Sequence, residues 1–248
     1  MKVAVLGAKG KMGRECVAAI SAAKDLELVS QIDLGDDITT IKNAGAQVIV
    51  DFTNPDSVMK NLEFAITNGI NAVIGTTGFN DEKLEKVKKL LSANPKVGVL
   101  IAPNFGIGAI LMMQFAKQAA AHFDSAEIME FHHASKADAP SGTAARTAEL
   151  ISNVRKTKQK PAMPDGTKTA LPGARGAKVG DVAIHSIRSD GHVAHQEVVF
   201  GSSGETLTIR HDSIDRAGYM PGVLLGIREV AKHPGLTIGL ENFMPEFK

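Results

Sequence analysis

His132, His133 and Lys136 stand within five residues of one another, inside the stretch EFHHASKADAPSGTAARTAEL that spans residues 130–150. Directly behind them a Pro-Ser-Gly-Thr run, Pro140 to Thr143, opens into an alanine-rich helical pattern. Four readings compete for this segment. Histidine is a common metal ligand, but adjacent side chains on a strand face opposite ways and no third ligand is spaced to join them, so no metal is expected. Ser141 could be a nucleophile, yet it occupies the place of a helix N-cap, which serine suits. Two surface histidines beside a solvated lysine form the plain alternative. The fourth reading is an anion-binding site for a reduction. Ser141 would cap the helix GTAARTAELISNVRK, leaving N–H groups around Gly142 and Thr143 facing outward at the positive end of the helix dipole, where a carboxylate binds well. His133 and Lys136 add enough positive charge for a small dicarboxylate. A carbon that accepts hydride needs a proton on the neighbouring atom. Lys136 or His132 can supply it, a histidine near neutral pH and a lysine when its pKa is lowered. The pattern predicts a substrate with carboxylates and a polarised C=N or C=C bond.

A reduction needs an electron donor, and the N-terminal stretch VAVLGAKGKMG has the form of a place to hold one. Gly7, Gly10 and Gly13 follow the first strand and open a helix. Glycines there allow a tight turn, close approach to a pyrophosphate and seating of the helix on the sheet. The spacing is GxxGxxG rather than the usual GxGxxG. Asp33 closes the second strand 20 residues after Gly13, where a carboxylate takes hydrogen bonds from the adenine ribose hydroxyls. It would repel a 2′-phosphate that Lys9 and Lys11 would attract, so NADH is expected to bind and NADPH as well. Two later loops, GTTG (Gly75 to Gly78) and APNF (Ala102 to Phe105), sit at strand C-terminal ends. Open α/β sheets bind ligands there, and these loops fit the nicotinamide end. Read blandly, both are ordinary turns.

These residues must be positioned by the elements around them. The first 105 residues alternate short Val/Ile/Leu runs with amphipathic stretches: KVAVLG, LELVSQID, AQVIVDF, NAVIGTTG and KVGVLIAPN as strands, with a helix from about Lys11 to Ala23. PDSVMKNLEFAITNG reads as a helix with Pro55 in its first turn, and NDEKLEKVKKLLSAN as a helix with acid-first charge order. Apolar strands alternating with helices predict a parallel sheet covered on both faces. After Phe105 the grammar changes. The helix GAILMMQFAKQAAAHF leads to the strand AEIMEFHH and the His-His-Lys motif with its helix. Residues 157–180, rich in Lys, Gly and Pro, read as a long mobile loop. Three strand-like runs follow, DVAIHSIR, HVAHQEVVFG and ETLTIRHD. SDG and SSG between them read as hairpin turns, so this sheet should be mostly antiparallel. The chain returns to helix in PGVLLGIREVAKH and ends near the apolar run LTIGL. The expected architecture is α/β: a Rossmann-like parallel-sheet domain over 1–106 plus 216–248, interrupted by an inserted α+β domain over 107–215 for substrate binding and oligomerisation.

With 28 Lys and Arg against 27 Asp and Glu, neither nucleic acid nor an anionic membrane is the expected partner. The single cysteine, Cys16, can form no intrachain disulfide and no multi-thiolate metal site, which points to a reducing, cytoplasmic location. MKVAVLG is cut off by glycine and lysines too early for a signal peptide. The uncharged run VGVLIAPNFGIGAILMMQFA has the length of a membrane span, but Pro103, Asn104, Gly106 and Gly108 break it into a buried strand, a loop and a helix.

EFHHASKADAPSGTA closely resembles the signature of the 4-hydroxy-tetrahydrodipicolinate reductases, the dihydrodipicolinate reductases of bacterial lysine and diaminopimelate biosynthesis. The likeness runs along nearly the whole chain, through VAVLGAKGKMG, VIVDFTNPD, VIGTTGF, LIAPNFGIG and HQEVVFGSSGETLTIRHDSIDR. GAKGKMG and Asp33 look most like the actinobacterial members. The resemblance implies NAD(P)H-dependent reduction of a cyclic dihydropyridine dicarboxylate derived from aspartate semialdehyde and pyruvate. By the same resemblance His132 is the proton donor or acceptor and Lys136 the proton donor, while His133, Gly142 and Thr143 hold the substrate. The cofactor would contact Gly7, Ala8, Lys9, Gly10, Lys11, Met12, Asp33, Gly75, Thr76, Thr77, Ala102, Pro103, Asn104 and Phe105. The family forms homotetramers through the inserted domain's sheet, with a hinge between domains. The rivals are another Rossmann dehydrogenase acting on a small carboxylate or aldehyde substrate, and a dinucleotide-sensing regulatory protein. The sensor would give no reason for His132 and Lys136.

Overall fold

In the computed structural model, which describes residues 1–247, the chain divides into two compact units. The first comprises Met1–Ile107 and the segment from Arg216 onward; the second is Gly108–Asp215.

The first unit alternates β1 (Lys2–Leu6), α1 (Lys11–Ala22), β2 (Glu27–Ile32), the short α2 (Thr39–Asn43), β3 (Val48–Asp51), α3 (Val58–Thr67), β4 (Asn71–Ile74), α4 (Asp81–Ala93) and β5 (Gly98–Ile101). Every residue of β3 and β5 is buried, as is all of β1 after Lys2. Such strands must have both faces covered, which is what helices crossing between parallel strands provide. Local signals fix the helix ends. Asn80 accepts a hydrogen bond from the Lys83 N–H at 2.9 Å, and Asp81 and Glu82 occupy the first turn of α4, where the dipole favours acids. Pro55 does not lie in a first helical turn: α3 starts at Val58. The side chain of Asn54 accepts from the N–H groups of Asp56 and Ser57 at 3.0 and 3.1 Å, spending Pro55 on a separate turn.

The second unit contains α5 (Ile107–Ala119) from its second residue, β6 (Ser125–His132), α6 (Gly142–Thr157), β7 (Ala177–Val179), β8 (Val182–Arg188), β9 (Ala194–Ser202) and β10 (Glu205–Ser213). Its sheet runs in the order β10-β9-β6-β8-β7. All neighbours are antiparallel except β6 and β8, which run parallel. SSG does close a hairpin, between β9 and β10. SDG does not. Residues 189–193 instead carry the chain from β8 over the end of β6 to β9, and the Ser189 N–H donates to the His132 carbonyl at 3.0 Å on the way. The reason is burial: β6 alternates inward at Ala126, Ile128 and Glu130, and as the central strand it needs a partner on each edge. The stretch after α6 is not free of regular structure either, since β7 pairs with β8 at its end. Earlier in the loop, the Pro161 carbonyl accepts from buried Arg155 at 2.8 Å, and Arg155 also meets Asp181 and the Phe123 carbonyl.

The chain returns to the first unit through a 3-10 turn, α7 (Met220–Val230) and β11 (Gly235–Ile238), which adds to β5 in parallel. The completed six-stranded sheet is wholly parallel, in the order β11-β5-β4-β3-β1-β2. The uncharged run becomes β5, a loop and α5. Among the described residues no helix is long and apolar enough to cross a membrane.

Candidate active site

The first unit's strand order reverses at β1, because β2 lies on one side of it and β3 on the other. Ligands bind doubly wound sheets at the carboxyl end of such a switch point. A cleft of about 410 Å³ opens there, lined by Gly10, Lys11 and Met12 after β1, Phe52, Thr53 and Pro55 after β3, and Gly75, Thr76 and Thr77 after β4. Gly7 turns the chain with φ +74°, and a Cβ there would sit 2.5 Å from the Phe52 carbonyl oxygen. Gly13 lets α1 descend onto the loop, since a Cβ would lie 2.0 Å from the Gly7 carbonyl oxygen. The loop is laid against the end of β2: Gly7 and Ala8 donate to the Ile32 carbonyl at 2.8 and 3.2 Å. The Lys9 N–H reaches Asp33 Oδ2 at 2.7 Å. The peptide N–H groups of Leu34 and Lys9 hold the Asp33 carboxyl below the usual range.

Phe52, Thr53 and Pro55 were open to the same strand-end rule that picks out GTTG and APNF. Asp51 has no such local signal. Fully buried at the end of β3, it accepts from Thr53 Oγ1 and Thr76 Oγ1, both at 2.7 Å, and from Asn61 Nδ2 at 2.7 Å. One carboxylate thereby fixes two of the loops that line the cleft. Ala102, Pro103, Asn104 and Phe105 are not among the lining residues. Phe105 packs edge-on against Phe52, with ring centroids 5.9 Å apart, and the Asn104 side chain accepts from the Gly106 N–H. Cys16 is fully buried within α1, and burial pushes its thiol up to about 12, which leaves it no role as a thiolate.

In the second unit, His132 ends β6, Gly142 and Thr143 begin α6, and His133 and Lys136 lie in the loop between. Ser141 caps α6 through a 3.2 Å bond from the Ala144 N–H to its Oγ. Apart from the adjoining residues and the helix's own backbone, no atom would lie within 4 Å of a Cβ at Gly142, so the space beside that position is open. Lys136 Nζ meets Asp138 Oδ1 at 2.6 Å, and this ammonium holds the Asp138 carboxyl below its ordinary value. His133 Nδ1 lies 2.9 Å from Ser135 Oγ. His132 Nδ1 forms a short bond with Glu130 Oε2. Burial lowers the His132 pKa, against an opposing pull from Glu130.

Glu130 and Arg188 are the residues that the motif did not reveal. Glu130 is fully buried, and burial alone would raise its pKa. The fork of Arg188, with Nη1 and Nη2 at 3.0 and 2.8 Å, outweighs this together with Ser186 and His132, leaving the carboxyl below its usual range. The sequence did hold a signal for Glu130: it sits two residues after Ile128, in the inward phase of an alternating strand where a charge requires a partner. It held none for Arg188, 58 positions away.

Known proteins resemble the chain along its whole length. The sequence profile "Dihydrodipicolinate reductase, N-terminus" matches residues 1–105, and "Dihydrodipicolinate reductase, C-terminus" matches residues 108–244. The 4-hydroxy-tetrahydrodipicolinate reductases of Mycolicibacterium gilvum and Nocardia farcinica are 59% and 57% identical to it over 98% of this chain, which spans 99% and 98% of theirs. A solved dipicolinate-bound dihydrodipicolinate reductase from Paenisporosarcina sp. TG-14 superposes with a TM-score of 0.86 at 39% identity, covering 98% of both chains. An amine dehydrogenase from Mycobacterium smegmatis, 12% identical over 96% of this chain and 94% of its own with a TM-score of 0.63, shares the fold alone. The chain belongs to the dihydrodipicolinate reductase family, a family of NAD(P)H-dependent oxidoreductases.

Proposed function

We propose that this protein is a 4-hydroxy-tetrahydrodipicolinate reductase: the cyclic dihydropyridine dicarboxylate left when that compound loses its hydroxyl as water is reduced by NAD(P)H, with one proton, to tetrahydrodipicolinate, a step of lysine and diaminopimelate biosynthesis. Residues 1–106 with 216–248 form the dinucleotide-binding domain, and 107–215 the substrate-binding and oligomerisation domain. The observation that carries this reading is local to the second unit. The imidazole of His132, the ammonium of Lys136 and the capped N-terminus of α6 come from one continuous stretch and are each held by a named polar partner. His133 and the first residues of α6, Gly142 and Thr143, hold the substrate carboxylates, and an oxyanion at a helix N-terminus benefits from both N–H groups and dipole. Lys136 and His132 supply and manage the proton that accompanies hydride addition. When bound, NAD(P)H would supply the hydride.

The cleft suits such a cofactor. Its glycine loop brings backbone close without side-chain obstruction, and Asp33, already accepting from two N–H groups, keeps acceptor capacity for ribose hydroxyls. Gly7 through Met12, Gly75 to Thr77 and Ala102 to Phe105 complete the cofactor-binding set. Lys9, whose N–H meets Asp33, and Lys11, which lines the cleft, are both exposed, which supports use of both NADH and NADPH. Removing the carboxylate in Asp33→Ser should move the kcat/KM ratio toward NADPH by about tenfold, equivalent to ~1.4 kcal/mol of relieved repulsion. Steady-state rates with the two cofactors check this, and an unchanged ratio would free Asp33 of any part in selectivity. The family resemblance supports a cytoplasmic homotetramer, which sedimentation analysis tests for its subunit number.

The activity itself is tested by mixing the protein with NADH and enzymatically generated substrate and following absorbance at the nicotinamide band. Prompt oxidation is expected. Cofactor binding without oxidation would favour a dinucleotide sensor.

A further inference from the structure

Glu130 is the one charged residue among those of β6 that face the core, with no side-chain exposure, and it joins three pieces of the second unit directly and a fourth through Arg188. Its Oε2 takes His132 Nδ1 from its own strand and Arg188 Nη1 from β8; its Oε1 takes Arg188 Nη2 and, at 3.3 Å, the Ser141 N–H at the cap of α6. The same Arg188 Nη2 donates to the Asp138 carbonyl at 2.8 Å, so the loop between strand and helix is bound in as well. We propose that Glu130, braced by Arg188, is a positioning residue for the reduction: it fixes His132 as the tautomer protonated at Nδ1 and ties that ring to the helix terminus assigned to the substrate carboxylates.

The chemistry follows from donor and acceptor roles. A carboxylate only accepts, and the two-pronged guanidinium contact keeps Glu130 a carboxylate. The His132 nitrogen facing it must then carry the hydrogen. In the neutral ring Nε2 is left bare, and only there can a proton be taken up and passed on. The ring has 13% side-chain exposure and its Nδ1 is engaged by Glu130, so few alternative orientations remain. When His132 is protonated, Glu130 stabilises the imidazolium. The other charges facing the ring, Arg188 from β8 and Lys136 from the loop, oppose protonation, and Asp138 is engaged with Lys136. A buried ion pair that served only the fold would destabilise the protein when broken, without a preference for either ring nitrogen.

This inference rests on His132 taking part in the proposed proton transfer, but its first test does not require activity. In the unaltered protein near pH 8, 15N spectra of labelled histidine rings, assigned by the signal lost in His132→Gln, should show Nδ1 protonated and Nε2 bare. The Nε2–H tautomer would overturn the assignment even in a fully active enzyme, whereas the expected tautomer without NADH oxidation would sink only the proposed reaction. The second test is Glu130→Gln, whose amide can present N–H to the ring and reverse the tautomer. Its kcat should fall on the order of 50-fold with substrate KM within threefold, and the pH-profile limb set by His132 should move to lower pH because the supporting negative charge is gone. Arg188→Lys, which keeps the charge but loses the fork, should change kcat and the pH profile in the same direction and by less, and it stands in if Glu130→Gln does not fold. Turnover and pH profile unchanged in a folded variant would overturn the proposal.

Discussion

Lys136→Met should lower kcat about 10³-fold while the affinity for NADH stays within about twofold of the parent. General acid catalysis by a positioned group is worth roughly 10²- to 10⁴-fold, so a loss of this size, ~4 kcal/mol of barrier, is what removal of the donor should cost. Methionine keeps much of the side chain's bulk and takes away the ammonium, which leaves Asp138 without the partner now at 2.6 Å. Cofactor affinity should persist because the residues lining the cleft proposed to hold the cofactor belong to the other compact unit. His132→Gln should behave in the same way. The double variant should lose less than the product of the two effects, since groups serving one proton transfer are not additive. Steady-state kinetics paired with a fluorescence titration of NADH decide the matter: equal losses in turnover and cofactor binding would mean that the His-His-Lys cluster is structural.

Gly13→Val should weaken NADH binding about 100-fold, ~2.7 kcal/mol, and also cost about 3 kcal/mol of stability. The position has no room. Even the first carbon of a side chain would fall 2.0 Å from the Gly7 carbonyl oxygen and 2.8 Å from the Ala8 Cα, and both are backbone atoms. Relief requires α1 to lift away or the glycine loop to shift, and either motion displaces the N–H groups that would face a pyrophosphate. For a chain of this size the stability loss corresponds to a melting point lower by roughly 10 °C. Thermal melting with and without NADH separates the two effects. Parental affinity at a temperature where the variant is folded would show that the loop does not hold the dinucleotide.

Much of this molecule was legible in the sequence because the signals are local. The strand, glycine turn, helix and Asp33 lie within a few dozen residues, and their hydrogen bonds close over the same short distance, as the Lys9 to Asp33 contact shows. Ser141 caps its helix through a neighbour three residues on. Pro55 misled because a proline suits a turn ahead of a helix as well as the helix itself, and Asn54's side chain settled it in favour of the turn.

By itself the sequence determined the parallel α/β half, the alternation that turns alternate residues of β6 inward, and a motif rich in groups able to bind anions and move protons. Tertiary structure alone decided that SDG crosses over β6 instead of closing a hairpin, that Arg188 finds Glu130, and that Asp51 gathers the loops after β3 and β4. The physical reason is shared. A turn's residues allow several strand pairings of similar local energy, and the choice among them depends on which pairing leaves the central strand covered and its buried charge matched.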